Sequence, residues 1–311
     1  SGTIDVNGTN GAIGIGALGD LTNGSSIENT QSGTIEVKAT NGSAIGIEAN
    51  TITNSSIVNS GTIIATSNGF IANGIEANDL LLGNSSIVNS GTITISGNSG
   101  YAIKATYMYN TSTITNDTLG VISALGESGA TDIVGIDILR MNESSKVTNK
   151  GTVAAYIDNA LDKDAYSMMV DSMTIDTRVE NTSTGKLYGN IDVSGVMSNA
   201  GLISLPHNAT NATVYNFTNQ STGTLEIGLL TDGTTTTHSK LFTYDATFES
   251  GSTINVNVLS ASTNVSLLKD TTLNDVVTAD SELTINGTLN ITDNSLLLDF
   301  EYVKDGNTID L

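Results

Sequence analysis

The residues in this chain that could carry out acid–base or metal chemistry are few, and the densest group lies in one short stretch. Asp158, Asp162, Lys163 and Asp164 fall within "DNALDKDAY" (158–166). Grouped aspartates can bind Ca²⁺, or act as acid and base on a polysaccharide beside a basic residue. The same composition is typical of a solvated acidic loop. We favour the loop, and keep a metal or sugar site and a catalytic site as alternatives.

The sequence contains few residues that could support nucleophilic catalysis. The chain has no Cys and only two histidines, His207 and His238, and neither lies near a G-x-S-x-G elbow. We expect both histidines in exposed loops. The sequence therefore predicts a protein that is not an enzyme, with no catalytic residue, no metal ligand and no cofactor.

Tyrosines are the second group of residues that could form a functional site. One aromatic residue precedes position 100, and "YAIKATYMY" then brings three tyrosines close together. Tyr combines an apolar ring face with a hydroxyl, which suits sugar or protein recognition. We predict a ligand-binding face around residues 101–175; the alternative is that these rings fill the core or protect loops. The predicted binding residues are Tyr101, Tyr107, Tyr109, Tyr156 and Tyr166.

The charge balance excludes some classes of partner. The formal net charge is −21, with 32 Asp and Glu against 11 Lys and Arg. Nucleic acids and anionic membranes both require clustered positive charge, so neither is expected to bind. No run of about eighteen apolar residues is present, so we expect no helix that spans a membrane.

A repeat of about thirty residues determines how these side chains are positioned. "NSSIVNSGTI" occurs at 54–63 and again at 84–93. The glycine of each SGTI-like unit recurs at intervals of 28 to 34 residues up to position 185, and then at shorter intervals. This self-similarity indicates a solenoid. The aligned glycines are Gly2, Gly33, Gly61, Gly91, Gly120, Gly151, Gly185, Gly201 and Gly223.

Each period contains three short runs in which apolar and polar residues alternate. In residues 33–59 the runs are marked by Ile35 and Val37, by Ile45 and Ile47, and by Ile57. Alternation bounded by Asn, Gly and Ser is typical of short strands joined by turns. The prediction is an all-β parallel β-helix.

The two parts of the chain differ in regularity. We assign residues 1–225 to the repeat region. Residues 226–311 are predicted to form the last irregular coils and a C-terminal β cap, with alternating runs at 252–258, 282–291 and 296–303. A cap is expected because an open end of a β-helix exposes strand edges.

One Asn recurs two residues after the apolar residue of the third run. Asn tolerates the left-handed backbone of a tight turn, so we expect it at the corner of each coil. Stacked in register, its amide can hydrogen-bond the Asn of the next coil and form a ladder. The ladder residues are Asn29, Asn59, Asn89, Asn116, Asn149, Asn181, Asn199 and Asn219.

The sequence resembles the passenger domains of bacterial autotransporters (type V secretion). The resemblance is carried by the SGTI coils with "SSIVNSGTI" and "AIGIEA", and by the ending "GTLNITDNSLLLDFEYVKDGNTIDL". It implies a right-handed β-helix, an autochaperone-like C-terminal region and exposure at the bacterial cell surface. It also implies a tether to the outer membrane through a C-terminal translocator barrel in the full-length chain. A start in mid-repeat is typical of a fragment of a longer protein.

The resemblance implies a non-enzymatic passenger that mediates adhesion to host or neighbouring cells. The expected partner is a host-cell surface protein or glycan, or a second copy of the chain. The alternatives are a self-associating rod that drives aggregation, a polysaccharide-acting lyase or hydrolase, and a stalk that has no site.

Self-association through flat polar faces predicts a dependence on salt. Rods of net charge −21 repel one another, and added salt screens that repulsion because the Debye length falls from about 10 Å at 0.1 M to about 3 Å at 1 M. Aggregation, followed by turbidity and sedimentation, should increase with ionic strength. Aggregation whose extent is independent of ionic strength would contradict this mode of pairing.

Overall fold

The chain winds into a parallel β-solenoid, which confirms the predicted β-helix. The computed structural model describes residues 2–17, 19–231, 236–259 and 272–311, and in these ranges every regular element is a β-strand. Each turn of the solenoid contributes strands to three lateral faces, called face A, face B and face C. Within the described ranges, no helix of the length and apolarity needed to cross a bilayer is found.

Face A is one parallel ladder of eleven strands. Its strands are β1 (Thr3–Gly8), β5 (Thr34–Ala39), β9 (Thr62–Ser67), β12 (Thr92–Gly97), β15 (Val121–Gly126), β18 (Thr152–Ile157), β21 (Lys186–Tyr188), β23 (Leu202–Leu205), β25 (Thr224–Thr231), β28 (Thr253–Leu259) and β30 (Asn290–Asp293).

Face B stacks the second strand of each turn. Its strands are β2 (Ala12–Ala17), β6 (Ala44–Ala49), β10 (Ile71–Leu82), β13 (Ser99–Met108), β16 (Ile133–Met141), β19 (Ala165–Val170), β22 (Asn190–Asn199), β24 (Ala212–Asn219), β27 (Leu241–Phe248) and β29 (Val277–Ile285). From β22 onward these strands bend and their second halves continue into face C.

Face C begins with six four-residue strands. They are β4 (Ser26–Asn29), β8 (Ser56–Asn59), β11 (Ser86–Asn89), β14 (Thr113–Asn116), β17 (Lys146–Asn149) and β20 (Arg178–Asn181). Two short strands, β3 (Leu21–Thr22) and β7 (Ile52–Thr53), pair with one another between faces B and C.

The duplicated decapeptide occupies successive turns of face C. Ile57 pairs with Ile87 and Asn59 with Asn89, and the same register continues to Ile114 on the next strand. All three isoleucines are fully buried. Stacking identical apolar residues one above the other removes their side chains from water and packs each against a copy of itself.

Face B departs from simple alternation because it must approach face A closely. Ala44 and Ile47 are buried, whereas Ile45, which the alternation predicted to point inward, is half-buried. Gly46 lies between them on the inner side. A Cβ at Gly46 would lie 2.4 Å from Cγ2 of Ile63 on face A. The glycine of "AIGIEA" is therefore required for the contact between the two faces.

The eight predicted ladder residues form one continuous chain of hydrogen bonds. The Nδ2 of each Asn donates to the Oδ1 of the Asn in the next turn, at 2.7 to 2.9 Å, from Asn29 to Asn219. All eight are buried. In the interior such a bond also relieves the cost of an unpaired amide, which is about 1–3 kcal/mol.

The prediction that these asparagines adopt the left-handed conformation is wrong. Each is the last residue of its face C segment, and none is among the described residues with positive φ. The left-handed positions lie before the strand instead, at Asn54, Asn84 and Asn110. The ladder Asn is selected by its side chain, whereas the turn Asn is selected by its backbone.

Parallel stacking continues beyond residue 225 and ends in an antiparallel hairpin. In the turn after Asn219 the equivalent position is Phe248, which is buried and ends the ladder. A short strand, β26 (Thr236–His238), pairs antiparallel with β25. The hairpin of β31 (Val303–Asp305) and β32 (Thr308–Asp310) then pairs antiparallel with β29.

The run at 296–303 does not form the strand that its alternation predicted. Leu296 and Leu297 are exposed, while Leu298 and Phe300 pack partly against the core. The segment takes no strand pairing before Val303.

Replacing one ladder residue should destabilise the whole rod. Asn116→Ala leaves the Oδ1 of Asn149 without its donor and leaves a small cavity, so we expect a loss of about 2–4 kcal/mol. Exposed Asn98, whose side chain has no hydrogen bond among those described, is the matched control, and Asn98→Ala should change little. Urea unfolding followed by circular dichroism measures both. Equal midpoints for the two variants would contradict a stabilising role for the ladder.

Candidate ligand-binding site

The register of face B stacks outward side chains into columns along the rod. One column contains Glu76, Lys104, Asp137 and Met169, from β10, β13, β16 and β19. Because neighbouring rungs lie about 4.8 Å apart, side chains of adjacent rungs in one column are in contact range. A site on this face is therefore assembled from residues about thirty positions apart.

A cavity of about 340 Å³ opens on face B beside this column, and we call it the Tyr101 cavity. Tyr101 and Leu139 supply apolar walls, and Leu139 is exposed. Its polar and charged lining includes Lys104, Asp132, Asp137 and Asp171. A mostly apolar hollow with a few converging polar groups is the usual form of a small-ligand site.

Lys104 connects the aromatic and acidic sides of the cavity. Its Nζ lies 4.6 Å from the centroid of the Tyr101 ring, a cation–π distance, and 3.8 Å from Oε1 of Glu76. The ammonium group is thus held over the ring and presents one positive charge to a ligand among several carboxylates.

Asp137 is the most perturbed acid of the cavity. Burial raises the pKa of its carboxyl to about 7, the negative charges of Asp171 and Asp132 add to the effect, and Lys104 opposes it. Burial also raises the pKa of Tyr101, followed by the charge of Asp137. Near neutral pH the Asp137 carboxyl is therefore present in both forms and can donate as well as accept a hydrogen bond.

The predicted binding tyrosines do not form one patch. Tyr101 and Tyr166 share a column of face B, two rungs apart, and burial raises the pKa of both phenols. Tyr156 lies on face A, away from the cavity.

Tyr107 and Tyr109 form a separate group at the other end of β13. Their rings stack with centroids 6.0 Å apart, and the Arg140 guanidinium lies 5.6 Å from the Tyr107 ring. Tyr107 lies six residue steps along the extended strand from Tyr101, which corresponds to about 20 Å.

The acidic stretch 158–166 makes internal contacts. Asp162 accepts hydrogen bonds from the Asn208 side chain and the Asp164 amide, and Lys163 pairs with Asp164 at 2.5 Å. None of these residues lines the Tyr101 cavity. Over the ranges that the structure describes, no group of three or more His, Cys, Asp or Glu side chains is arranged to hold a metal ion.

The two histidines are not the exposed loop residues that the sequence suggested. His207 and His238 are both partly buried near the β25–β26 pair, and Nδ1 of His207 lies 3.0 Å from the Thr237 hydroxyl. Burial lowers the pKa of both imidazoles. His238 belongs to β26, and His207 contacts that strand through Thr237, an arrangement that composition alone does not reveal.

The acidic residues of the cavity were not predicted from the sequence, although a signal for them exists. Aligning "GIEA" at 46–49 with "GIEA" at 74–77, "AIKA" at 102–105 and "GIDI" at 135–138 places one polar residue at a constant outward position. Those residues are Glu48, Glu76, Lys104 and Asp137. Asp171 and Asp132 lie outside the aligned segments, so the repeat alone does not identify them.

No protein-family profile, curated protein or solved structure is significantly similar to this chain.

Asp137 should make the stability of the protein depend on pH. Its folded pKa is higher than the unfolded value of 3.8, so its contribution destabilises the fold increasingly as pH rises from about 4 to about 7. Asp137→Asn should therefore raise the melting temperature at pH 8. The gain corresponds to at most about 4 kcal/mol, since one pKa unit equals about 1.4 kcal/mol.

The difference between Asp137→Asn and the unaltered protein should vanish below about pH 3, because the carboxyl is then protonated in both the folded and the unfolded state. Exposed Asp20→Asn serves as the control for removal of one surface carboxylate. Parallel melting curves at all pH values for Asp137→Asn would contradict the raised pKa.

Proposed function

We propose that this chain is a surface-exposed autotransporter passenger that mediates adhesion to host or neighbouring cells without enzymatic activity. The observation that supports a binding role is the Tyr101 cavity, where a half-buried ring, a lysine and three aspartates converge on an open face. Hydroxyl, carboxylate and ammonium groups around an aromatic wall are suited to a polar ligand such as a host-cell glycan or a protein loop.

The rod itself suits an adhesin. Eleven strands of face A at about 4.8 Å spacing give a length of about 50 Å, which carries a lateral site away from the point of attachment. The proposed location is the bacterial cell surface, with a tether to the outer membrane through a translocator. This location rests on the resemblance of the SGTI coils to autotransporter passengers.

A polysaccharide-acting enzyme is the second candidate, and one observation favours it. Asp137 has a pKa of about 7 and lies within electrostatic range of Asp171. A protonated carboxyl beside a charged one is the arrangement that glycoside hydrolysis uses for its acid and base. In this alternative Asp137 would donate a proton to the glycosidic oxygen.

The first test is binding of the purified chain to epithelial cells and to a glycan panel. Tyr101→Ser removes the aromatic wall, so we expect affinity to fall about tenfold or more, as for other aromatic anchors. Tyr156→Ser, on face A, is the matched control and should bind as the unaltered protein does.

Three outcomes distinguish the candidates. Loss of binding in Tyr101→Ser alone supports the adhesin. Equal binding by both variants moves the site away from the cavity. Release of new reducing ends or unsaturated sugars, abolished in Asp137→Asn, would replace the adhesin with the enzyme.

A further inference from the structure

The column that lines the Tyr101 cavity continues along the rod beyond it. Met169 pairs with Asp192 of β22, Asp192 with Thr213 of β24, and Thr213 with Phe242 of β27. A second outward column runs beside it, because Asp171 and Ser194 directly follow the paired residues Val170 and Val193.

A second cavity, of about 250 Å³, lies on these later rungs, and we call it the Tyr215 cavity. Asp192 and Ser194 form its first rung, and Tyr215 and Tyr244 lie further along. Met169 and Asp171 belong to the Tyr101 cavity, and β19 and β22 are adjacent strands. The two cavities therefore meet without an intervening rung.

Tyr215 and Tyr244 present aromatic surface to solvent. Their rings are stacked with centroids 4.9 Å apart and planes 4° from parallel, and they are 50% and 43% exposed. The two rings belong to the adjacent strands β24 and β27, and their centroid distance matches the rung spacing of about 4.8 Å, so the pair contributes one ring per turn. Asp280, on the following strand β29, also lines the cavity.

The charges along both cavities are predominantly negative. Asp137, Asp171, Asp192 and Asp280 are lining residues, and Lys104 is the one basic group among the described residues that line either cavity. Burial, followed by the charge of Asp192, raises the pKa of Asp171, so charges of the two cavities influence one another. An anionic chain would be repelled here, the more so by a protein of net charge −21.

We propose that the two cavities form a single groove on face B that binds an uncharged linear glycan lying parallel to the rod axis. From β13 to β29 the groove spans seven rungs, about 29 Å, which accommodates several sugar rings. Aromatic rings contact the apolar faces of sugars, and carboxylates accept hydrogen bonds from their hydroxyls. The inference rests on the proposed binding function and specifies its ligand.

The groove is tested by the length of the ligand. Calorimetry would measure the affinity of the full chain for neutral gluco-, galacto-, manno- and N-acetylglucosamine oligomers, from dimers upward, and for oligogalacturonates as the anionic series. We expect the affinity for one neutral series to rise with length until the groove is filled. Oligogalacturonates should bind at least tenfold more weakly.

Two double variants locate the effect. Tyr215→Ser/Tyr244→Ser should lower affinity for long oligomers at least tenfold and leave the shortest binding oligomer unaffected. Tyr156→Ser/Tyr188→Ser, on face A, is the matched control and should bind as the unaltered chain does. Because all four rings are at least partly exposed, the fold should survive, which melting temperatures check.

The outcomes separate this inference from the proposed function. Long oligomers that bind the Tyr215→Ser/Tyr244→Ser variant normally would overturn the groove, while a defect in Tyr101→Ser would still support the adhesin. Cell binding without binding of any glycan would also overturn the groove and leave a protein-binding adhesin. Equal affinity for anionic oligomers would overturn the ligand class. Binding to neither cells nor glycans would overturn both proposals.

Discussion

The buried amide in each turn is the constraint on which the rest of the structure depends. An Asn side chain in the interior needs both a donor and an acceptor: the equivalent Asn of the preceding turn donates to its Oδ1, and that of the next turn accepts from its Nδ2. A shift of register would leave a row of such amides unpaired. Successive turns of the solenoid are therefore held in register, one above the other, although the number of residues per turn varies. This register then aligns every other position of the solenoid, including those that face solvent.

Close approach of the backbone reinforces the same register. A Cβ at Gly91 would lie 2.1 Å from the carbonyl oxygen of Gly61, so the SGTI glycine is needed where consecutive turns touch. Beside it, the carbonyl oxygen of Asn59 accepts hydrogen bonds from the amides of Ser90 and Gly91 in the next turn. The ladder Asn and the SGTI glycine are thus two parts of one corner, which explains why they recur together in the sequence.

Inward positions could be predicted from the sequence because stacking demands the same residue in turn after turn, and repetition is visible without coordinates. The Ile57 and Ile87 pair and the ladder itself follow from that repetition. Stacking does not require the same residue at outward positions, so the neighbours of an outward side chain depend on the strand register and on where the strands bend. Tyr156 and Tyr166 are close in sequence but lie on different faces, and Tyr215 and Tyr244 stack although they belong to irregular coils. The Tyr101 cavity could therefore be identified only from the structure.

Stacking also limits where negative charge can be placed. Two carboxylates one rung apart repel each other by roughly 0.9 kcal/mol even in water, and by more where they are partly buried. From Glu76 to Thr213 the outward column avoids this, because Lys104, Met169 and Thr213 alternate with Glu76, Asp137 and Asp192. On the preceding rung, however, Glu48 pairs directly with Glu76. A further acidic pair is diagonal, between Asp137 and Asp171, where burial and repulsion together raise the pKa of Asp137 to about 7. The cavity thus retains an unfavourable acidic pair, and unfavourable groups of this kind are concentrated at functional sites.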